Sequence, residues 1–408
     1  MNFASTYFSR YKLLPSFYPD QPDEGLEIVV VIPCYDDEFI FETLRSLDKA
    51  DPIRSKYEII VVVNSGEQTP VGIVEKNRQI FEELQKRADG EYYQGFRLLP
   101  IWVEGTAKKK AGVGFARKVG MDEAVRRFSA INKPQGLIVS LDADTLVSST
   151  YLRTIDKAFE NDQAGCFTFQ FRHDFDLEQY SKEVVYACRL YELYLRYYRL
   201  ALKTFDYPFA VHTIGSCFAV RAETYTKIGG MPVRQGGEDF YFLQKATKMC
   251  LVAEIKEQIV YPSPRISERV PFGTGPSVRN IISKGTYFVY NFDLFMRLKA
   301  FFELFPVLEH MIPIDQIPAE IRAFIDQDVL EEAIYECRKY SASSKAFLKR
   351  MYNKFDAFFI VKFLNSFDAN SAFPPVDIHE AIQKLFDYYR VKDVSNIYDA
   401  TVQLDLCM

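Results

Sequence analysis

Two carboxylates close together are the first feature of this sequence that could do chemistry. Segment 137–146 reads LIVSLDADTL, so an apolar run ends in Asp142 and Asp144, one residue apart. If the run continues as a strand, both side chains lie on one side of it and their like charges repel unless a positive group lies between them. The pattern therefore favours a divalent cation, since oxygen ligands suit Mg²⁺ or Mn²⁺, which keep positions open for substrate phosphates. A solvated turn without function is the alternative.

A second acidic pair lies later in the chain. Glu238 and Asp239 follow two glycines and begin a predicted helix. Acidic residues in the first turn of a helix are favoured by its dipole, with or without a function. A carboxylate in this position could also accept a proton from a substrate hydroxyl. Arg117, in a glycine-containing segment that begins another predicted helix, is a candidate for binding a phosphate group.

The elements that would position these residues alternate between strand and helix. Apolar runs at 26–32, 57–63, 96–103 and 137–146 predict strands buried on both faces, and the segments between them have helical spacing. This order predicts an α/β fold with a parallel sheet, whose ligands gather beyond the carboxyl ends of the strands. Later segments predict shorter strands, two of them at 250–255 and 259–261, and a mostly helical C-terminal domain. We predict an N-terminal arm (1–26), an α/β domain (27–280) and a helical domain (281–408).

Composition limits the partners and the compartment. The 408 residues carry a formal net charge of −5, which argues against nucleic acid as a main partner. Seven scattered cysteines without a close CxxC pair indicate reduced thiols and a cytoplasmic protein. We identify neither a secretory signal nor a membrane span in the sequence. Aromatic and arginine residues in 186–203 leave open a peripheral contact with the inner face of a membrane, although packing within the protein is the simpler interpretation.

Five motifs in order resemble those of family 2 glycosyltransferases with the GT-A fold, a Rossmann-like fold for nucleotide-diphospho-sugar transferases. They are IPCYDDEFIFETLRSL, EIIVVVNSGEQT, GVGFARKVGMDEA, LDADT, and the pair GSCFAVRAETYTKIGGMP and GGEDFYFLQKA. The resemblance covers about residues 27–275. A DxD pair alone is a weak signal, whereas five motifs in order, at the ends of predicted strands, are a stronger one.

The resemblance implies a metal-dependent transfer of a sugar from a nucleotide-diphosphate donor to an acceptor hydroxyl. It implies that Asp144 binds Mn²⁺ or Mg²⁺ directly, that Asp142 contacts metal-bound water or the ribose, and that Asp239 is the base of an inverting reaction, with Glu238 beside it on the acceptor. The implied donor-binding residues are Pro33, Tyr35, Asp36, Asn64 and Arg117. The sequence departs from the family at Asp36, where asparagine is usual, and at Asn64, where many members have aspartate.

A basic loop forms the last part of the predicted donor site. Segment 263–279 contains Arg265 and Arg269 among glycines, and we expect it to close over the donor diphosphate. The QxxRW motif of many family members is absent. The acceptor is an unspecified sugar, a lipid-linked molecule or a small molecule. The alternatives are a retaining GT-A enzyme of the type that makes glucosyl- or mannosylglycerate, and a non-catalytic GT-A-like binding scaffold.

Overall fold

A computed structural model describes residues 2–90, 92–93, 95–161, 163–173, 175, 179–266, 273–392 and 394–408. Within it the chain divides into two compact units. The first unit comprises Met1–Cys188 and Val211–Arg279, and the second comprises Arg189–Ala210 and Asn280–Met408. The described residues that are predicted to do chemistry all belong to the first unit.

The described residues form ten strands and seventeen α-helices. The strands are β1 (Leu26–Cys34), β2 (Lys56–Gly66), β3 (Arg97–Thr106), β4 (Leu137–Ser140), β5 (Thr145–Val147), β6 (Cys166–Phe171), β7 (Phe218–Arg221), β8 (Val252–Pro262), β9 (Phe288–Val289) and β10 (Val376–Asp377). The helices are α1 (Ser5–Arg10), α2 (Ile40–Asp48), α3 (Val71–Asp89), α4 (Val113–Ala130), α5 (Tyr151–Asn161), α6 (Lys182–Lys203), α7 (Ala222–Ile228), α8 (Glu238–Met249), α9 (Thr274–Lys284), α10 (Phe292–Glu303), α11 (Phe305–Leu308), α12 (Ala319–Phe324), α13 (Gln327–Lys339), α14 (Ser344–Lys354), α15 (Ala357–Asn365), α16 (Ile378–Tyr389) and α17 (Ile397–Cys407). A 3-10 helix covers Ile314–Gln316.

The first unit is built on a mixed sheet of eight strands in the order β3-β2-β1-β4-β7-β6-β8-β5. The strands β3, β2, β1 and β4 run parallel, β7 is antiparallel to β4 and β6, and β8 is parallel to β6. The carboxyl ends of β1, β2, β4 and β8 and the start of β7 therefore lie along the same edge. The predicted α/β class with a mostly helical C-terminal part is confirmed.

The central strands are buried on both faces because helices cover the sheet. Every residue of β1 except Glu27 is buried, as the unbroken apolar run predicts. Helix α4 packs closely on this strand at Gly120, where an added Cβ would lie 2.4 Å from Cγ1 of Val31. Glycine allows the helix to approach the sheet this closely, which brings the first turns of α4 near the edge where the strands end.

Two predictions about the strands are wrong. The segment 137–146 is not one strand: β4 ends at Ser140, the N–H of Thr145 donates to the carbonyl of Asp142 (3.3 Å) in a turn, and β5 then pairs antiparallel with β8. The sequence predicts two strands, at 250–255 and 259–261, with a break between them. The structure instead has the single strand β8, which runs through the polar residues of that break. The pairing of β6 with β8 shifts in register there. As a result Asp142 and Asp144 lie in a turn, and strand alternation does not determine where their side chains point.

In the second unit, the arginines of α6 pair with buried acids. Arg196, fully buried, donates to Glu192 (3.0 and 2.8 Å) on its own helix and to Asp405 (2.7 Å) on α17. Arg199 donates to the other carboxylate oxygen of Asp405 (2.5 Å). Among the described residues, no helix is long and apolar enough to cross a bilayer. The buried ion pairs account for two of the arginines of α6, Arg196 and Arg199.

Replacing Asp405 by alanine should lower the free energy of unfolding by about 3–5 kcal/mol, because removing one member of a buried ion pair leaves uncompensated charge. Both arginine partners would remain buried. Urea unfolding followed by circular dichroism measures the loss. Gln403→Ala, at an exposed position of the same helix, is the matched control. Equal loss in the two variants would show that the ion pairs contribute little.

Candidate active site

Arg117 lies at the centre of the candidate site. Its guanidinium is 2% exposed and donates from Nη2 to Asp142 Oδ1 (2.8 Å) and from Nε to Glu238 Oε1 (3.2 Å). Its Nη1 donates to the hydroxyl of Ser140 (2.5 Å) and to the carbonyl of Gly215 (3.2 Å). Burial alone would lower the pKa of Arg117, but the charges of Asp142 and Glu238 outweigh it and raise the pKa above its ordinary value. One buried cation therefore joins the two acidic motifs, which are far apart in sequence.

Asp142 is held by partners on both of its carboxylate oxygens. Oδ1 accepts from Arg117, and Oδ2 accepts from the hydroxyl of Ser216 (2.5 Å), which also contacts the hydroxyl of Thr145 (3.1 Å). Gly215 is required for this packing, since an added Cβ would lie 2.7 Å from Nη2 of Arg117 and 3.3 Å from Oδ2 of Asp142. The segment before β7 thus fixes the orientation of the first aspartate of the DxD motif.

Asp144 binds a different arginine. Oδ2 of Asp144 accepts from Nη2 (2.9 Å) and Nε (3.1 Å) of Arg265, and the same Nη2 also donates to Oδ2 of Asp37. The chain after β8 reaches this point because the N–H of Ser263 donates to the carbonyl of Asp144 (3.1 Å). Burial would lower the pKa of Arg265, but Asp144 and Asp37 raise it above its ordinary value. The two aspartates of the DxD motif therefore face two separate guanidinium groups.

Asp239 has an electrostatic environment that suits a base. Gly237, with φ of 70°, is the N-cap of α8, and Glu238 and Asp239 form its first turn. Burial and the neighbouring Glu238 carboxylate raise the pKa of Asp239 to about 7, against the opposing effect of Arg117. Oδ1 of Asp239 accepts from the N–H of Phe240 (2.7 Å), whereas Glu238 is 3% exposed and paired with Arg117. A carboxylate with a pKa near neutrality is a stronger base than an ordinary one.

The residues predicted to hold the nucleoside lie at the carboxyl ends of the paired strands β1 and β2, where Asn77 accepts from the N–H of Asp36 (2.7 Å) and donates to the carbonyl of Asn64 (3.4 Å). Pro33 is buried within β1 and Tyr35 is half-buried just after it. Asp36, with φ of 49°, turns away to pair with Lys76 (2.8 Å) of α3. Asn64 is 4% exposed inside β2, which continues two residues beyond it, although the predicted strand ends at residue 63.

Asp37 is the site residue that sequence reasoning missed. The family resemblance instead predicts its neighbour Asp36, which stands where the resembled family usually has asparagine. The structure instead buries Asp37 to 2% exposure and pairs it with Arg265. Two adjacent aspartates after a buried strand were the available signal, but which of them turns inward depends on the backbone at Asp36. The predicted donor residue Arg269 lies outside the described residues.

The acidic residues at this edge fit a Mg²⁺ or Mn²⁺ ion with a small protein ligand set. Within the described part of the chain, no group of three or more His, Cys, Asp or Glu side chains is arranged to bind a metal. The available ligands are carboxylate oxygens, and the Asp144 side chain is 27% exposed. Mg²⁺ is commonly bound by one or two carboxylates, with water and substrate phosphates completing its coordination. Of the two aspartates predicted to hold the ion, Asp144 pairs with Arg265, and Asp142 pairs with Arg117 and accepts from Ser216.

Comparison with known proteins gives distant structural likenesses only. No protein-family model matches the chain, and no curated protein matches its sequence significantly. Residues 1–349 of TarS from S. aureus in complex with UDP-GlcNAc are 15% identical, with a TM-score of 0.41, over 93% of this chain and 90% of that one. The mannosyltransferase PcManGT from Pyrobaculum calidifontis, in complex with GDP-Man and Mn²⁺, is 16% identical, with a TM-score of 0.37, over 99% and 90%. Likenesses at these TM-scores do not establish a shared fold or activity.

Proposed function

We propose that this protein is a GT-A glycosyltransferase that moves a sugar from a nucleotide-diphosphate donor to an acceptor hydroxyl with inversion. The observation that carries the proposal is the double pairing of Arg117 with Asp142 and Glu238. It brings the DxD motif, which the proposal assigns to the donor, next to the acidic pair assigned to the acceptor. A transferase needs both groups at one cavity, because the base must act on the hydroxyl that attacks the donor sugar.

Each residue has a defined part in the proposed reaction. Asp144 would hold the cation, and Arg117 and Ser216 fix the orientation of the Asp142 carboxylate. Burial and, next, the carboxylate of Glu238 raise the pKa of Asp239, and Asp239 takes the proton from the acceptor hydroxyl. A bound Mg²⁺ or Mn²⁺ would neutralise the charge that develops on the diphosphate leaving group. Arg117 could bind a phosphate only if one of its present contacts were released, so we assign it to positioning.

A ligand panel tests the proposed function. Thermal unfolding of the protein is measured with UDP-, GDP- and other nucleotide sugars, with and without Mn²⁺, because a ligand that binds the native state raises its apparent stability. Donors that stabilise the protein are then supplied in labelled form with candidate acceptors, and the anomeric configuration of the product is determined. Inversion supports Asp239 as the base, whereas retention contradicts the proposed mechanism. A protein that neither binds nor turns over any donor would contradict the function itself.

The rate of transfer should depend on the protonation of Asp239. Its pKa is raised to about 7, so the carboxylate is protonated below that pH and kcat/KM should fall as the pH decreases through neutrality. Replacing Glu238 by glutamine removes a charge that raises this pKa and leaves the opposing effect of Arg117, so the acidic limb should move to lower pH. Profiles of kcat/KM from pH 5 to 9 measure the shift.

Glu257→Gln, on an exposed residue of β8, is the control for the loss of one negative charge. It should leave the acidic limb unchanged. If the acidic limb of the Glu238→Gln profile stays where it is in the natural protein, the Glu238 carboxylate does not influence the pKa of the group that accepts the proton. That result would argue against Asp239 as the base.

A further inference from the structure

A cavity of about 410 Å³ lies in the first unit, and none of the residues that line it has been assigned to the donor or to the base. Its walls come from the N-terminal arm, from α4, from the segment between α7 and α8, and from α8. Three lining side chains are basic: Lys118 of α4, Arg234 before α8, and Lys245 of α8. Among the described residues that line the cavity, none is acidic. The composition of its walls therefore favours an anionic ligand.

Two of these cations have no carboxylate partner. Within the described part of the chain, Arg234 and Lys245 form no ion pair, and both are exposed. The guanidinium of Arg234 lies over the ring of Tyr241, 3.4 Å from its centroid. Stacking uses the face of a guanidinium and leaves its in-plane N–H donors for an oxyanion.

The third cation is neutralised within the protein. Nζ of Lys118 pairs with Oδ2 of Asp122 (2.9 Å) and donates to the hydroxyl of Tyr7 (2.8 Å), which itself donates to Asp122 (2.7 Å). The charges of Lys118 and Asp122 cancel, so the cavity keeps the two positive charges of its other cations. A phosphate group with one ester bond carries about −1.5 to −2 near neutral pH, which matches them.

Two consecutive glycines keep the backbone of the cavity open. Gly229 and Gly230 line it with φ of 93° and 80°, and Gly229 is also the left-handed C-cap of α7. A Cβ on Gly229 would lie 3.5 Å from Nζ of Lys245, and a Cβ on Gly230 would lie 3.2 Å from Nζ of Lys118. Any other residue would therefore place a side chain against the amino groups, whereas glycine leaves that space to a ligand.

A run of three lysines adds to the positive charge beside the cavity. Lys108, Lys109 and Lys110 are all exposed, and the amide of Gln235 donates to the carbonyl of Lys108 (2.9 Å). The run is thus held against the residue that follows Arg234. In a chain with a net charge of −5, such a local group of cations attracts anions to one place on the surface.

We propose that this cavity binds the phosphate group of an organic phosphate, at a site separate from the donor site. Arg234 and Lys245 pair with the phosphate, the first through paired N–H donors and the second as a compact charge. The volume lies within the range of small-molecule sites, about 300–1,000 Å³, so part of the organic carrier fits beside the rings of Tyr11 and Tyr241. The inference goes beyond the proposed function and does not rest on it.

The test is calorimetric titration of the full chain with glycerol 3-phosphate, at constant ionic strength and without donor or metal. Arg234→Gln and Lys245→Gln should each raise the Kd about tenfold, as loss of one charged hydrogen-bond donor to an anion does. Inorganic phosphate should show the same dependence on both residues. Lys49→Gln, at an exposed lysine outside the cavity, is the matched control and should leave the Kd unchanged.

Three results would overturn the proposal. They are the absence of binding of both phosphates, an unchanged Kd in Arg234→Gln and Lys245→Gln, and a rise in Kd of the same size in Lys49→Gln, which would indicate overall charge and not the cavity. Thermal unfolding of each variant checks that it is folded. If loss of the stacking on Tyr241 destabilises Arg234→Gln, Lys245→Gln tests the site by itself.

A second measurement identifies the carrier of the phosphate. The protein is sedimented with phosphatidylcholine vesicles that contain or lack phosphatidic acid. Sedimentation that requires phosphatidic acid and is lost in Lys245→Gln supports the site with a lipid as carrier, whereas binding of glycerol 3-phosphate without sedimentation supports it with a soluble carrier. Because neither measurement uses a sugar donor, their failure would leave the proposed function standing.

Discussion

Replacing Asp239 by asparagine is expected to slow sugar transfer by about 10²- to 10⁴-fold, the usual contribution of a general base. Asparagine has nearly the same shape and can still accept the N–H of Phe240. It cannot take a proton from the acceptor hydroxyl. The donor is assigned to the other acidic motif, so its Kd should stay close to that of the natural protein. Single-turnover transfer of a labelled donor, together with calorimetric donor binding, measures the two effects separately.

The same variant should be more stable than the natural protein at pH 8. Burial raises the pKa of Asp239 to about 7, so the folded state binds a proton that the unfolded state releases at lower pH, and stability is lost as the pH rises through 7. Asparagine carries no charge and avoids that loss. Below about pH 4 both side chains are uncharged, so the difference in stability should disappear.

Transfer at a natural rate by Asp239→Asn would remove the base from the mechanism. A lower melting temperature at pH 8 would show that the ionised carboxylate stabilises the fold.

Replacing Asp144 by asparagine is the second large effect, and we expect at least about a hundredfold loss of transfer at saturating Mn²⁺. The cation provides several kcal/mol of charge stabilisation in reactions of this type, and a neutral amide is a weak ligand for it. The fold should be preserved, because Asp144 is partly exposed and Arg265 keeps its pairing with Asp37. Initial rates over a range of Mn²⁺ concentrations measure the loss.

Asp51→Asn is the matched control for Asp144→Asn. Asp51 is also an aspartate paired with an arginine, at 3.1 Å from Arg153, and the proposed reaction gives it no part. It should transfer sugar at the natural rate. Full activity of Asp144→Asn at saturating metal would mean that the DxD motif does not hold the cation.

The alternation of strands and helices is predictable because it follows from local patterns. The central strands β1 and β2 read as unbroken apolar runs, and each lies within a residue or two of its predicted start. Helix α4 follows its glycine-containing loop as predicted. What the sequence could not provide is the order of β7, β6, β8 and β5 in the sheet. Pairing there joins distant segments in both orientations, and no local pattern determines it.

Contacts at the candidate site show where sequence reasoning ends. The acidic motifs and Arg117 are recognisable from the motifs in which they occur. The pairing between them cannot be recognised in this way. Arg117 and Glu238 are 121 residues apart and meet only because the fold places α8 beside α4. Likewise the positive φ of Asp36, which carries its side chain to Lys76 and leaves Asp37 turned inward, depends on backbone geometry that aspartate adopts only occasionally.

The most direct measurement of the central claim is a crystal structure with a nucleotide diphosphate and Mn²⁺, recorded near the manganese absorption edge. Our account predicts an anomalous peak in contact with the Asp144 carboxylate and the diphosphate, with Asp239 facing the same cavity. A diphosphate bound away from Asp144, or an Asp239 carboxylate directed into a different cavity, would contradict it.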